Sequence, residues 1–273
     1  MNIETLPILD LDHPGAQDAE YRERRRVIVQ NALDFHAHGG GDIPLVVYSE
    51  DEHETWAIIN SVISVLHQKW ACQEYLRGRE LIQIDMLRIP QLCDLDLVLR
   101  RVGFRLEPIH GLVLPRQFLF KIAQKAMLCT QYIRHSSNPF FTPEPDIVHE
   151  VLGHVPMFMS EEVVMLQTLI GQGADHATEE QLTCLNRLYW YSIEYGLIRE
   201  DGEIKAFGAG LLGGIKDLTN AMTGERVIRP FVISDVILTD YNYSFEQPHF
   251  FVIESLPSLI ADLKEWLAKE GLM

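Results

Sequence analysis

The segment at residues 142–158, TPEPDIVHEVLGHVPMF, carries two histidines and three carboxylates between prolines. Imidazole and carboxylate groups are ligands of divalent transition metals, so a metal site is the first chemistry to consider. In the HExxH zinc motif the histidines are four residues apart, which brings both to one face of a helix. His149 and His154 are five residues apart and would diverge by roughly 140° on a regular helix. The spacing therefore disfavours a standard zinc metalloprotease.

For these two rings to bind one ion, the backbone has to change direction between them. Asp146 is placed to stabilise the start of a helix that begins near Ile147, and Gly153 is a natural residue to end that helix. We therefore expect His149 on the helix, a turn at Gly153, and His154 directly after the turn.

A third ligand has to come from elsewhere, and the segment LTCLNRLYWYSIEYGL at 182–197 offers Glu194 among apolar and aromatic residues. A carboxylate in such surroundings needs a partner. Two imidazoles and one carboxylate form the facial triad of non-haem iron(II) oxygenases, which leaves positions open for dioxygen and a co-substrate. Three alternatives stay open: a zinc-dependent hydrolase with Glu150 as general base, a binding protein with a stabilising metal, and ordinary polar side chains without any metal.

Composition limits the partners of this chain. It has 273 residues, 47% of them hydrophobic, and 23 basic against 39 acidic residues give a net charge of −16 with histidine neutral. So negative a chain is a poor match for nucleic acid. No apolar run reaches the roughly 20 residues that a bilayer crossing needs, and no signal peptide is evident. We therefore expect no membrane association. The four cysteines form no CxxC pair, so we expect reduced thiols and a cytoplasmic location.

Helical periodicity dominates the sequence, so we expect one domain that is mainly α with a small β element. The predicted helices cover 19–39, 51–77, 92–102, 115–135, 146–152, 161–172, 179–195 and 256–270. The predicted strands are EIKAFG at 203–208, VIRPFVISDVIL at 227–238 and HFFVIE at 249–254. The run YRERRR at 21–26 has acidic neighbours and is interpreted as a solvated, salt-bridged helix face.

Longer segments resemble the catalytic domain of the pterin-dependent aromatic amino-acid hydroxylases. The similarity is carried by DHPGAQDAEYRERR, IPQLCDLDLVLRRVGFRLEP, LCTQYIRHSSNPFFTPEPDIVHEVLGHVP, LYWYSIEYGL, IKAFGAGLL and EQPHFFVIES, which span Asp12 to Ser255. The resemblance implies the aromatic amino-acid hydroxylase catalytic-domain fold, with residues 1–11 as an N-terminal arm and 12–273 as a single catalytic domain. It also leads us to expect neither a regulatory domain nor a tetramerisation helix, and therefore a monomer.

By this resemblance, His149, His154 and Glu194 bind Fe(II). Dioxygen is a co-substrate, and a tetrahydropterin such as tetrahydrobiopterin supplies electrons, with Glu150 expected to take part in catalysis. The residues implied to face the pterin are Phe118, Val113, Glu150, Tyr189 and Tyr241.

The resemblance also implies a free aromatic amino acid as substrate. Its carboxylate is expected to pair with Arg134, helped by Thr142 and Asp146. A planar guanidinium suits this role, because it binds a carboxylate through two hydrogen bonds. Pro145 and Trp190 are expected to enclose the substrate ring.

Three positions in the expected substrate pocket depart from the family pattern. The usual GAGLLSS reads GAGLLGG here, so Gly213 replaces a serine expected near an iron-binding histidine. Tyr195 stands where a phenylalanine is usual, and Tyr243 is bulkier than the small apolar residue expected at its position. The preferred reaction is L-phenylalanine to L-tyrosine, with tryptophan 5-hydroxylation or another ring position of phenylalanine as alternatives.

Overall fold

The computed structural model describes residue 9, residues 13–242 and residues 246–273. The predicted N-terminal arm at 1–11 lies outside these ranges apart from residue 9, and Tyr243 lies outside them too. The α-helices of the described part are α1 Ala19–Ala37, α2 Glu50–Trp70, α3 Gln73–Ile82, α4 Leu92–Leu99, α5 Pro115–Ala123, α6 Glu161–Gly173, α7 Glu179–Tyr189, α8 Ala209–Leu212, α9 Ile215–Thr223, α10 Ile233–Val236 and α11 Leu256–Lys269. Two wider helical segments are π1, His149–His154, and π2, Trp190–Glu194. The mainly α prediction is confirmed.

The helix predicted at 51–77 is interrupted between α2 and α3, because the backbone of Ala71 is extended. Ala71 forms a β-bridge with Ala206, and the backbone N–H of Cys72 donates to the carbonyl of Ala206 over 3.0 Å. Pairing with a distant part of the chain thus overrides a continuous helical period.

The β-structure consists of two small sheets. The strands are β1 Arg105–Pro108, β2 Ala126–Cys129, β3 Leu197–Glu200, β4 Glu203–Ala206, β5 Val227–Pro230 and β6 His249–Ile253. β1 and β2 form a parallel pair, and the other four are ordered β4-β3-β6-β5, with β6 parallel to both neighbours and β4 antiparallel to β3. The predicted strands at 203–208 and 249–254 are confirmed. The one at 227–238 is right only for its first four residues, since α10 follows.

The helix predicted at 115–135 is also too long. α5 ends at Ala123, and after the left-handed Lys125 (φ 55°) the chain enters β2. β2 is fully buried and pairs with β1 along its whole length. A buried apolar strand has no alternating pattern, so periodicity does not separate it from a helix.

Two buried apolar clusters meet at the two π segments. One cluster joins α6, α7, α11 and the four-stranded sheet and includes Tyr189, directly before π2. The other joins α2, α4 and β1 and includes Val151 within π1. Each π segment is therefore held by a different core. Within the described part of the chain, no helix is both long and apolar enough to cross a membrane.

The interpretation of the arginine run as a solvated face is wrong for Arg25. Arg26 forms an exposed ion pair with Glu23 on α1, and Arg24 forms a partly buried pair with Glu52 on α2, but Arg25 is only 3% exposed. It pairs with Glu144, and its guanidinium lies 3.7 Å from the centre of the Tyr132 ring. Burial of a charge requires such partners, so Arg25 anchors α1 to the loop that precedes π1.

Candidate metal centre and substrate cavity

The two histidines converge through π1 rather than through a turn at Gly153. The backbone hydrogen bonds of a π-helix join residue i to residue i+5, so side chains five residues apart lie about one turn apart on the same side of the helix. His149 and His154 accordingly lie on the same side, with 3.1 Å between their Nε2 atoms. The expected helix end at Gly153 is wrong, because the helix widens there and continues. Convergence of the two rings, which the sequence required for a shared ion, is present.

Glu194 reaches the same point from the last residue of π2. Its Oε1 lies 3.2 Å from Nε2 of His154, and its Oε2 lies 3.6 Å from Nε2 of His149. The ligand atoms of the three side chains all lie within 4.8 Å of one another. A wide helical turn thus presents the ligands on both sides of the centre.

α8 and its flanking glycines press against both π segments. A Cβ on Gly153 would stand 2.6 Å from the carbonyl oxygen of Ala209, and one on Gly208 would stand 2.3 Å from the carbonyl oxygen of Glu194. A Cβ on Gly213 would stand 2.9 Å from Cα of His149. These approaches need glycine for steric reasons, and they position the backbone of two ligands directly.

The three donor groups fit a hexacoordinate metal ion. Ligand bonds of roughly 2.1 Å at right angles separate neighbouring donor atoms by about 3 Å, close to the separations found here. Two imidazoles and one carboxylate also match the ligand set typical of non-haem Fe(II). The fit is to a triad with open positions, since the described residues place no further carboxylate, imidazole or thiolate within reach.

The protonation states of the donors suit ligation. Burial lowers the pKa of His149 to about 4, so its ring is neutral at physiological pH. Burial also opposes charge on His154 and Glu194, but their attraction to each other outweighs it. That attraction raises the pKa of His154 and lowers that of Glu194. Glu194 is thus a carboxylate, the form that binds a cation.

A cavity of about 490 Å³ opens over these donors. Its walls are mainly apolar, with a few polar groups, as is usual for a small-molecule site. The lining includes every residue predicted to face a pterin, namely Val113, Phe118, Glu150, Tyr189 and Tyr241. It also includes most of those predicted for the substrate, namely Arg134, Thr142, Pro145, Trp190, Tyr195 and Gly213.

Aromatic side chains form two groups in this cavity. Trp190 stacks on Tyr241, with 4.3 Å between ring centres, and contacts Tyr195 at 4.6 Å. Phe118 meets Tyr189 edge to face at 5.3 Å. Flat hydrophobic surfaces of this kind suit planar ring ligands.

Glu150 is the buried acid next to the first histidine. It accepts hydrogen bonds from the backbone N–H and the hydroxyl of Thr130, at 3.3 and 3.2 Å. Burial raises the pKa of Glu150 to about 8. Its carboxyl group points into the cavity as a hydrogen-bonding group beside the metal donors.

Arg134 is held in place by Asp146. Nε and Nη2 of the guanidinium donate to the two carboxylate oxygens at 2.9 and 2.7 Å, and the backbone N–H of Arg134 donates at 2.8 Å. Asp146 also accepts from the backbone N–H of His149 at 3.1 Å. Burial opposes its charge, but Arg134 outweighs that effect and lowers its pKa. Asp146 itself does not line the cavity, so it supports Arg134 from behind.

Asp217 also lines the cavity, and the sequence did not point to it. It is the third residue of α9, where an acid has an ordinary reason to occur because it stabilises a helix N-terminus. The sequence feature that could have identified Asp217 is its position just after GAGLLGG, the segment that contacts His149 and Glu194.

Comparison with known proteins agrees with this geometry. A model of the family described as biopterin-dependent aromatic amino acid hydroxylase matches residues 3–270. Tyrosine 3-monooxygenase of Schistosoma mansoni is 38% identical over 270 residues, 97% of this chain and 58% of its own length. Phenylalanine-4-hydroxylase of Caenorhabditis elegans is 38% identical over 265 residues, 95% of this chain and 58% of its own length. The chain thus spans little more than half of these relatives.

Solved structures are similar as well. The crystal structure of phenylalanine hydroxylase from Chromobacterium violaceum with bound iron(III) and 7,8-dihydrobiopterin has a TM-score of 0.75 and 29% identity, and covers 81% of this chain and 84% of its own. The apo structure of the cold-active phenylalanine hydroxylase from Colwellia psychrerythraea 34H has a TM-score of 0.76 and 28% identity, covering 83% and 91%.

Proposed function

The chain belongs to the family of biopterin-dependent aromatic amino acid hydroxylases, and we propose that it is a monooxygenase that hydroxylates the ring of a free aromatic amino acid. Its cofactors are those of the family, iron and a biopterin-type pterin. The observation that carries the proposal is the convergence of His149, His154 and Glu194 at the floor of an aromatic cavity that also contains Arg134.

The preferred substrate in this proposal is L-phenylalanine, hydroxylated to L-tyrosine. The similar solved structures support it, since they are phenylalanine hydroxylases. The curated relatives include tyrosine 3-monooxygenases as well, so L-tyrosine is the main competitor and L-tryptophan the next. Tyr195 offers one means of discriminating among these three amino acids, because its ring contacts Trp190 and carries a hydroxyl group.

In this proposal His149, His154 and Glu194 would hold an iron ion that would activate dioxygen, and a reduced pterin would supply the two electrons that the reaction needs. The protein residues orient the reactants and exclude water. Arg134, braced by Asp146, receives the substrate carboxylate as a charge-assisted pair. Trp190 and Pro145 form apolar walls around the substrate ring, and the aromatic ring of Phe118 packs against the flat pterin. Glu150 presents a hydrogen-bonding carboxyl between the pterin side and the metal side.

Family membership favours this oxygenase over a zinc-dependent hydrolase that would use Glu150 as general base. The test is an assay of iron-loaded protein with L-phenylalanine, L-tyrosine and L-tryptophan, each with and without tetrahydrobiopterin, with identification of the product and its ring position. We expect pterin-dependent formation of L-tyrosine from L-phenylalanine. Zinc-loaded protein is the control, and substrate turnover with zinc and no pterin would contradict the oxygenase.

The proposal includes a monomer that works in the cytoplasm, in phenylalanine breakdown or tyrosine formation. All four cysteines are described and none is in a disulfide, which supports a reducing compartment. Light scattering of the purified protein tests the monomer, and a dimer or tetramer at micromolar concentration would contradict it.

A further inference from the structure

A free amino acid is a zwitterion, so its site needs an acceptor for the ammonium group as well as a donor for the carboxylate. Burying either charge without a partner costs free energy. Arg134 is the cation of the cavity, and its Nη1 has no acceptor among the described residues, while Nε and Nη2 are used by Asp146. The pairing of Arg134 with the substrate carboxylate does not identify the acidic side chain that would face the ammonium group.

Four acidic side chains line the cavity, and three of them have another task. Glu144 pairs with the buried Arg25, Glu150 accepts from Thr130, and Glu194 belongs to the metal donors. Asp217 is the fourth. Among the residues that the structure describes, it has no ion pair and no hydrogen bond from another residue's side chain.

The two glycines before α9 make room for this carboxylate. A Cβ on Gly214 would stand 2.9 Å from Oδ2 of Asp217, so a side chain there would displace it. Gly213 and Gly214 both line the cavity. The part of the lining next to Asp217 therefore carries no side chain at these two positions, which leaves room for a ligand beside the carboxylate.

The electrostatics of Asp217 fit an anion that lacks its partner. Burial, and then the carboxylate of Glu246, raise the pKa of Asp217 to about 6, against the opposing effects of Lys216 and Arg134. Lys216 does not neutralise it, because its ammonium group lies 2.7 Å from Glu246. Arg134 is near enough to act on it but is engaged by Asp146.

We infer that Asp217 binds the α-ammonium group of the amino-acid substrate while Arg134 binds its carboxylate. The inference rests on the proposed function and adds to it the residue that selects α-amino acids over deamino acids. Ammonium and carboxylate groups on one α-carbon then meet an acid on α9 and an arginine braced by Asp146, which fixes the direction in which the ring enters the cavity.

The test compares binding of L-phenylalanine with binding of 3-phenylpropanoate, which lacks only the ammonium group, to iron-loaded protein without pterin. Isothermal titration calorimetry gives both dissociation constants. We expect Asp217→Asn to weaken L-phenylalanine binding by roughly tenfold or more, since hydrogen bonds between charged groups are the stronger ones. Binding of 3-phenylpropanoate is expected to stay the same or tighten. Asp217→Glu should retain part of the preference for the amino acid.

Asp262→Asn, on the exposed side of α11, is the matched control and should change neither constant. An equal loss for both ligands would overturn the inference, because it would mean that Asp217 acts through Arg134. An unchanged constant for L-phenylalanine would overturn it as well. If the unsubstituted protein binds and hydroxylates no aromatic amino acid, the proposed function fails first and this inference with it.

Discussion

Replacement of Asp217 by asparagine is expected to stabilise the ligand-free protein, although it weakens substrate binding. The ordinary pKa of an aspartate is 3.8, and that of Asp217 is about 6 in the folded chain. Burial is the main cause, followed by the carboxylate of Glu246, while Lys216 and Arg134 oppose the shift. The pKa of Tyr195 is raised in turn, mainly by burial and then by the carboxylate of Asp217. At pH 7 Asp217 is ionised and insufficiently compensated, so it opposes folding until a cation enters the cavity.

The magnitude follows from linkage between protonation and folding. Between pH 4 and pH 6 the folded chain holds a proton on Asp217 that the unfolded chain has released, so this contribution to stability falls as the pH rises through that window. A shift of about two pKa units corresponds to roughly 3 kcal/mol, fully expressed above pH 6. The carboxylate keeps contact with solvent in the cavity, which reduces the expected gain from Asp217→Asn to about 1–2 kcal/mol.

The assay is urea unfolding of both proteins, free of amino acid, at pH values from 4 to 8. The free energy of unfolding of Asp217→Asn should exceed that of the unsubstituted protein at pH 7 and 8, and the two should agree near pH 4. Saturating L-phenylalanine should then narrow the gap, because the unsubstituted protein gains more from binding. The result that refutes the reasoning is a difference that does not change with pH, or a variant that is less stable at pH 7.

Three further changes test the site. Glu194→Gln should lower iron content severalfold in metal analysis while circular dichroism stays native; unfolding of the variant would instead indicate a structural metal. Gly213→Ser, which restores the serine of the family pattern, should weaken iron binding because its Cβ would stand 2.9 Å from Cα of His149; tighter binding would refute this. Arg134→Lys should raise KM for L-phenylalanine tenfold or more, since lysine cannot reproduce the two bonds to Asp146, and an unchanged KM would contradict its role.

The fold was predictable where elements are long and amphipathic. α6, α7 and α11 have apolar residues at helical spacing. α6 and α11 lie close to the predicted bounds, and the helix predicted at 179–195 is present as α7 continued by π2. β1, β2 and β3, of four residues each, were missed, because consecutive buried residues leave no alternating pattern in them. A strand of that length is defined by its pairing partner, which a local pattern does not contain.

The candidate site was predictable in its ligand types and less so in its geometry. Histidine spacing and one acid in an apolar helix pointed to His149, His154 and Glu194, but a sharp turn was expected where a π-helical turn occurs. Local residue preferences distinguish an α-helix from a turn, whereas a widened turn depends on what presses against it. Asp217 was missed for a similar reason, since its role depends on neighbours that other elements supply.

The glycines around α8 explain why tertiary packing, and not the ligand segments alone, shapes the centre. A π-helical turn has poorer packing around its own axis than an α-helix, so it persists where surrounding structure enforces it. Here π1 and π2 belong to different apolar clusters, and the short α8 touches both through Gly153 and Gly208. The distance between the histidines and Glu194 is therefore set by how closely the two cores approach across α8. The substrate site and the metal site therefore depend on the same glycine-rich segment, which positions the metal ligands and also leaves space beside Asp217 in the cavity.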